Sequence, residues 1–198
     1  KTVQTGVFKT FYREAGAGEP LVLIHGGGPG ADSHGNWKEL MPIFAQRFRV
    51  YAYDLIGFGN TEAPDPATFT YSMDARTQQL QDFIEALKLG PANVIGNSMG
   101  GCTVLGLAIR KPELIKNMVL MGSAGLRMQL SPEVGKLMHY DFTMDGMRAI
   151  ATALAYPGFG ISEEMIRYRY ELTKREDIMR ATAATQAWIR GNGGMHYE

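Results

Sequence analysis

The stretch Ala92-Asn93-Val94-Ile95-Gly96-Asn97-Ser98-Met99-Gly100 runs directly into Gly101-Cys102-Thr103-Val104-Leu105-Gly106-Leu107-Ala108-Ile109. Ala92 to Ile95 reads as an apolar strand and Cys102 to Ile109 as a helix. Between them lies Gly-x-Ser-x-Gly, the pattern of a sharp strand-to-helix turn that presents a serine as a nucleophile. Glycines two positions either side of the serine let strand and helix approach closely, and the turn holds the serine in a strained conformation. Ser98 is therefore expected at the sheet edge, with the amide of Met99 aimed where an oxyanion would form. A serine- and glycine-rich turn without chemistry is the plain alternative. The strand before it, the helix after it and a second loop upstream argue against that alternative.

The second loop is His25-Gly26-Gly27-Gly28-Pro29-Gly30, after the short apolar run Pro20-Leu21-Val22-Leu23-Ile24. A second oxyanion donor must be a backbone N–H close to the substrate, and glycine permits that approach. The two loops lie about 70 residues apart, which suits strand ends that are neighbours in a parallel sheet. Gly26 to Ala31 also satisfies G-x-G-x-x-A, the dinucleotide fingerprint, with Asp54 after the strand Arg49–Tyr53 as a ribose-binding acid. A dinucleotide loop opens its helix at once onto the pyrophosphate. Here Pro29, Gly30, Asp32, Ser33, Gly35 and Asn36 delay any helix until about Trp37, which argues against a nucleotide. His25 then reads as a loop-packing residue and Asp54 as a turn-fixing carboxylate.

The 198 residues are 45% hydrophobic and 20% charged with net charge zero, an ordinary globular composition with enough chain for one large core. Zero net charge gives no reason to expect nucleic acid or an anionic membrane as partner. No run of about 18 apolar residues predicts a transmembrane helix, and Lys1 to Gly6 lacks the apolar segment of a signal peptide. The lone cysteine, Cys102, fits a reducing cytoplasm and reads as a small core residue. Nothing in the pattern calls for a metal or another cofactor; a small-molecule partner and a possible homo-oligomer remain open.

Strands are expected at Phe8–Glu14, Leu21–Ile24, Arg49–Tyr53, Ala92–Ile95 and Ile115–Met121, with helices at Trp37–Gln46, Ser72–Leu89 and Cys102–Ile109. In the helix over Ser72–Leu89, Leu80, Phe83, Ile84 and Leu87 share one face, and Gly90-Pro91 ends it. Alternating strands and helices imply an α/β fold with a mostly parallel sheet and flanking helices. From about Ser131 the chain reads only as helices: Pro132–His139, Asp145–Tyr156, Ser162–Lys174 and Glu176–Arg190. Residues 1–130 are thus expected to form an α/β core and residues 131–198 a helical cap. Nine of the twelve methionines lie at or after Met118, as ordinary core filling or as an adaptable apolar pocket wall.

A serine hydrolase also needs a histidine base and an acid, in this fold after the serine. Only His139 and His196 follow Ser98, and neither sits in the strand-loop context required. No apolar strand ending in an acid follows residue 126. The reading is that the last strands and helices of the core, with the triad Asp and His, are absent from this chain.

These residues resemble one family, the meta-cleavage-product hydrolases of aromatic-ring degradation, which have the α/β-hydrolase fold. The resemblance rests on His25 to Ala31, Gly35-Asn36-Trp37, Gly96 to Gly101 and Met121-Gly122-Ser123-Ala124-Gly125-Leu126. Tyr140-Asp141-Phe142-Thr143 and Trp188-Ile189-Arg190 look nearest to the carbazole-pathway type. It implies hydrolysis of a C–C bond in a 2-hydroxy-6-oxo-hexa-2,4-dienoate by ketonisation and an acyl-enzyme. It further implies that Ser98 is the nucleophile, that Gly27 and Met99 form the oxyanion hole, and that Gly28, Asn36, Asn97 and Arg169 bind the substrate. A ligand-binding protein without turnover, or an esterase of the same fold, is the alternative. Arg169 also stands out on its own helix. At about 100° per residue it falls in the apolar sector with Met165, Ile166 and Leu172, whereas Arg167 faces solvent. An inward arginine suits a carboxylate ligand, a cap acid, or a snorkelling position. Asn97 equally suits a tie from the turn to its neighbours.

Overall fold

The computed structural model describes residues 1–126 and 132–197. Six strands form one sheet: β1 (Thr2–Thr5), β2 (Phe8–Ala15), β3 (Glu19–Ile24), β4 (Phe48–Tyr53), β5 (Ala92–Asn97) and β6 (Ile115–Met121). Their spatial order is β1-β2-β4-β3-β5-β6, antiparallel at β1/β2 and β2/β4 and parallel from β4 onward. The glycine loop after β3 and the serine turn after β5 therefore emerge side by side, with Ile24 paired to Gly96.

The apolar runs become central strands because both faces of the sheet are covered. Val22 and Ile24 of β3 pack with Leu80, Phe83 and Ile84 of α3 (Met73–Ala86) and Leu107 of α4 (Met99–Arg110). Leu21 and Leu23, on the opposite face, pack with Trp37, Val50 and Ala52. Among the described residues β6 pairs only with β5, and Met118, Val119, Leu120 and Met121 are exposed along it.

Several elements depart from the periodicity. The helix expected over Trp37–Gln46 is two short ones, α1 (Ser33–Trp37) and α2 (Met41–Phe44). Asp32 starts α1 early by accepting the Gly35 N–H at 2.7 Å, and Pro42 lacks the N–H needed to continue one helix through the break. β1 has no apolar alternation; it forms because it hydrogen-bonds along β2, with the Thr5 and Thr10 hydroxyls 2.6 Å apart. The helix after the turn begins at Met99 rather than Cys102. Pro132–His139 divides into α5 (Pro132–Gly135) and a 3-10 turn over Lys136–His139.

Next come α6 (Met144–Leu154), α7 (Glu163–Leu172) and α8 (Glu176–Gly191). α6 stops short of Tyr156 because Pro157 disfavours helical backbone just before it. Tyr140, Met147, Ile150 and Ile166 form a cluster of their own. α8, by contrast, packs on the sheet unit: Ile189 joins the main core, and Ala181 meets Phe8, Ile56 and Tyr71. The buried Arg76 of α3 donates to Thr185 of α8 at 2.9 Å. Residues after α8 return to β6's end, where the Gly125 N–H donates to Met195 O at 3.0 Å. The boundary expected at 130/131 lies outside the described residues. Among the described residues no helix is long and apolar enough to cross a membrane.

Candidate active site

Ser98 sits between β5 and α4 with φ 52° and ψ −113°, a left-handed conformation that few side-chain-bearing residues adopt. Such strain costs about 1–3 kcal/mol and persists only where the surroundings impose it. Here they do: the Ser98 N–H donates to Met121 O at 2.9 Å, and the Ser98 carbonyl accepts from Cys102 and Ala124, each at 3.1 Å. A Cβ on Gly96 would fall on the Gly100 backbone, and one on Gly100 would lie 2.5 Å from Ile24 O. The two glycines of the motif are therefore places where backbone meets backbone.

Met99 is the first residue of α4, so its N–H has no partner within the helix and carries the positive end of the helix dipole. Gly27 lies across from it, and a Cβ there would fall on the Met99 side chain. Among the described residues neither the Gly27 nor the Met99 N–H donates a hydrogen bond to the protein. Gly27, Met99 and Ser98 border one cavity, and two such amides beside a serine suit an oxyanion hole.

Their positions are set by residues whose polar groups look inward. Asn36 Oδ1 accepts from the Gly26 N–H at 3.1 Å and from Asn97 Nδ2 at 2.9 Å, tying the glycine loop to the turn. His25 is fully buried; its Nδ1 lies 2.7 Å from Gly26 O and its Nε2 accepts from the Leu55 N–H at 2.9 Å. That pair of contacts fixes the neutral ring with Nδ1 protonated. Burial, the largest influence, pushes its pKa below the ordinary histidine value, against the pull of Asp54. Asp54 accepts from the Ser33 and Asn60 N–H groups, both at 2.8 Å. His25 is thus a loop-packing residue and Asp54 a turn-fixing one.

α7 closes the site from above. The carbonyl of Arg169 lies against Gly30, and Arg169 Nη2 donates to Pro29 O at 2.6 Å. Among the described residues its Nε is buried without a partner, and burial holds its pKa below the usual arginine value, with Asp32 and Tyr140 opposing. Arg167 is exposed. Beside Arg169, the Tyr168 hydroxyl donates to Asp32 Oδ2 at 2.7 Å.

These residues enclose a cavity of about 390 Å³. Gly27, Asn36, Asn97, Ser98 and Arg169 line its polar part, and Leu137, Met138, Leu154, Ile189 and Met195 line the rest.

Residues 19–149 match the model of the alpha/beta hydrolase fold family. The chain is 44% identical over 197 residues to a 2-hydroxy-6-oxo-6-(2'-aminophenyl)hexa-2,4-dienoic acid hydrolase of Metapseudomonas resinovorans, covering 99% of this chain and 67% of that protein. It is 32% identical over 194 residues to a 2-hydroxy-6-oxo-2,4-heptadienoate hydrolase of Pseudomonas putida, covering 96% of this chain and 70% of the relative. A crystal structure of a serine hydrolase involved in carbazole degradation (CarC enzyme) superimposes with a TM-score of 0.89 at 43% identity, covering all of this chain and 72% of that one. The chain belongs to the meta-cleavage-product hydrolases of the α/β-hydrolase fold. Such enzymes are serine-type hydrolases that act on a carbon–carbon bond, and the chain spans about two thirds of the length of the curated relatives it matches.

For a meta-cleavage-product hydrolase, Ser98, Gly27, Gly28, Met99, Asn36, Asn97 and Arg169 are the residues expected at the site, and all seven border the one cavity. The Asn97 amide donates to Asn36 Oδ1, which is the tie from the turn to its neighbours that the alternative reading expected. The anionic partner expected for Arg169 is a carbonyl, that of Pro29. None of the four histidines hydrogen-bonds Ser98 among the described residues: His34 and His139 are exposed, and His196 bridges Gly125. Sequence reading missed Asp32 and Tyr168. An Asp three residues before a glycine was the only local signal, and helix α1 is too short to show a periodicity. Of the nine methionines from Met118 onward, Met138 and Met195 line this cavity, whereas Met147 fills a core cluster and Met118 and Met121 are exposed on β6.

Proposed function

We propose that this protein cleaves the C5–C6 bond of a 2-hydroxy-6-oxo-hexa-2,4-dienoate carrying an apolar 6-substituent, with Ser98 as nucleophile. The carrying observation is the polarity of the cavity: Arg169, Asn36 and Asn97 at one part, an apolar wall at the other, and Ser98 with two unpartnered amides on its floor. A carboxylate accepts from the Arg169 edge that the protein leaves unmet, and the 6-substituent lies against Leu137, Met138, Ile189 and Met195.

The dienol first ketonises, its hydroxyl proton leaving O2 as C5 gains one. Ser98 Oγ then attacks the C6 carbonyl and loses its proton to a base, while the Gly27 and Met99 amides stabilise the oxyanion. Collapse breaks C5–C6; its electron pair leaves as the conjugated dienolate, and the acyl group stays on Ser98. Water then attacks the acyl carbonyl and releases the carboxylic acid. The buried, unpaired Cys102 fits a reducing compartment, so we place the protein in the cytoplasm.

Replacing Ser98 by Ala tests this reading. Turnover of the dienoate falls by several orders of magnitude, while binding, followed by the absorbance of the bound dienoate, persists. Wild-type turnover in the variant removes the nucleophile assignment.

A further inference from the structure

Asn36, Asn97 and Arg169, which line the cavity that holds Ser98, also border its neighbour. A second cavity of about 520 Å³ shares these three residues and is walled farther out by Leu154, Phe159, Met165 and Tyr168. The last three also border an outer opening of about 310 Å³, beside His34 and Lys38. Exposure rises along this path, with Met165 37% and Phe159 65% exposed. These cavities adjoin in a row from solvent to Ser98, between α1 and the α6–α7 connection, and make a candidate passage.

Its two sides differ in stiffness. Tyr168 is pinned by its bond to Asp32 and packs edge-on against the His34 ring, with centroids 6.0 Å apart. Phe159 sits between Gly158, at φ 90°, and Gly160; a Cβ at either glycine would meet nothing within 4 Å. An exposed aromatic is ordinary on a surface. This one borders three adjoining cavities, on a turn closed by its N–H donating to Tyr156 O at 2.9 Å and flanked by glycines with open space beside them.

We propose that substrate reaches Ser98 through this passage, apolar end first, and that Phe159 gates it and so selects what passes. The proposal rests on the dienoate reading above. The order follows from the position of the anchoring group, which lies between the mouth and Ser98. A molecule entering carboxylate first would latch at Arg169 with its reacting carbonyl still outside. One entering with its apolar end first brings the C6 carbonyl to Ser98 as its carboxylate arrives at Arg169. After cleavage the carboxylate-bearing fragment lies nearest the mouth and leaves by it, and water follows the same path to the acyl-enzyme.

A gate changes rates in both directions and leaves the equilibrium alone, whereas a binding contact changes affinity. The test uses Phe159→Cys in the Ser98→Ala background, labelled with a bulky thiol reagent. Cys102 does not compete, since it is fully buried and burial pushes its thiol up to about 12. Stopped-flow absorbance of the dienoate then compares labelled with unlabelled protein. Association and dissociation rates are both expected to fall at least about tenfold, with Kd changed less than about twofold. The same label on Ile109→Cys, exposed on α4 away from the passage, changes neither. Unchanged rates at position 159 place the route elsewhere and overturn the proposal. A weakened Kd with unchanged association makes Phe159 a contact rather than a gate. Failure of unlabelled Ser98→Ala protein to bind the dienoate removes the substrate reading, and the gate with it.

Discussion

Arg169→Gln should weaken substrate binding and stabilise the empty protein at the same time. Among the described residues the guanidinium has one hydrogen bond, from Nη2 to Pro29 O at 2.6 Å, and its Nε is buried unmet. Among the described residues no carboxylate forms a salt bridge with it. A desolvated cation with one carbonyl partner is a cost that the ligand-free protein carries. In the proposed function a substrate carboxylate accepts in a fork from the remaining edge, an interaction of about 1.5–3 kcal/mol. At about 1.36 kcal/mol per decade, its loss raises KM about ten- to 150-fold. Removing the buried charge is expected to add about 1 kcal/mol of stability, raising Tm by about 2–4 °C. The assays are steady-state kinetics on one dienoate and on its neutral ester, with thermal melts of both proteins. The ester, having no carboxylate, should be indifferent to the change. Equal losses on acid and ester, or a damaging Arg167→Gln, would refute the argument, the second because it puts the helical phase of α7 wrong.

Two further outcomes follow from buried polar groups. His25 has a folded pKa depressed below its unfolded value near 6.5, so its contribution to stability is complete above that pH and declines as pH falls below it. Imidazole 15N signals should show His25 neutral at pH 6, with Nδ1 protonated; a titration midpoint at the ordinary value would contradict the two hydrogen bonds. Arg76 donates to the Tyr71 and Ser72 carbonyls and to Thr185, joining α3 to α8, with its pKa lowered to about 10 by burial. Arg76→Met should cost about 2–4 kcal/mol in urea denaturation by leaving those acceptors unmet. A loss under about 0.5 kcal/mol would show that the joint contributes little.

The turn around Ser98 was legible because its constraints are local. Gly96 and Gly100 are required within five residues of chain, and the apolar runs either side declare strand and helix by their own composition. The inward face of Arg169 was legible for the same reason, since a helix repeats over four residues. Other local features misled: Pro42 breaks a helix that composition alone would continue, and Asp32 starts one across Gly35, a poor helix former. What no window of sequence contains is which distant side chains meet. Asn36 and Asn97 are 61 positions apart, and Asp32 and Tyr168 are 136 apart. Their bonds exist because β3 and β5 lie in parallel register and because α7 rests on Gly30. The sequence by itself determined the nucleophile's turn and the alternation of strands and helices, since backbone sterics and side-chain periodicity act over a few residues. Only the tertiary structure decided that the glycine loop and the serine turn stand side by side and that α7 rests on Gly30 with Arg169 at the same cavity, since such contacts depend on positions to a fraction of an ångström that packing sets.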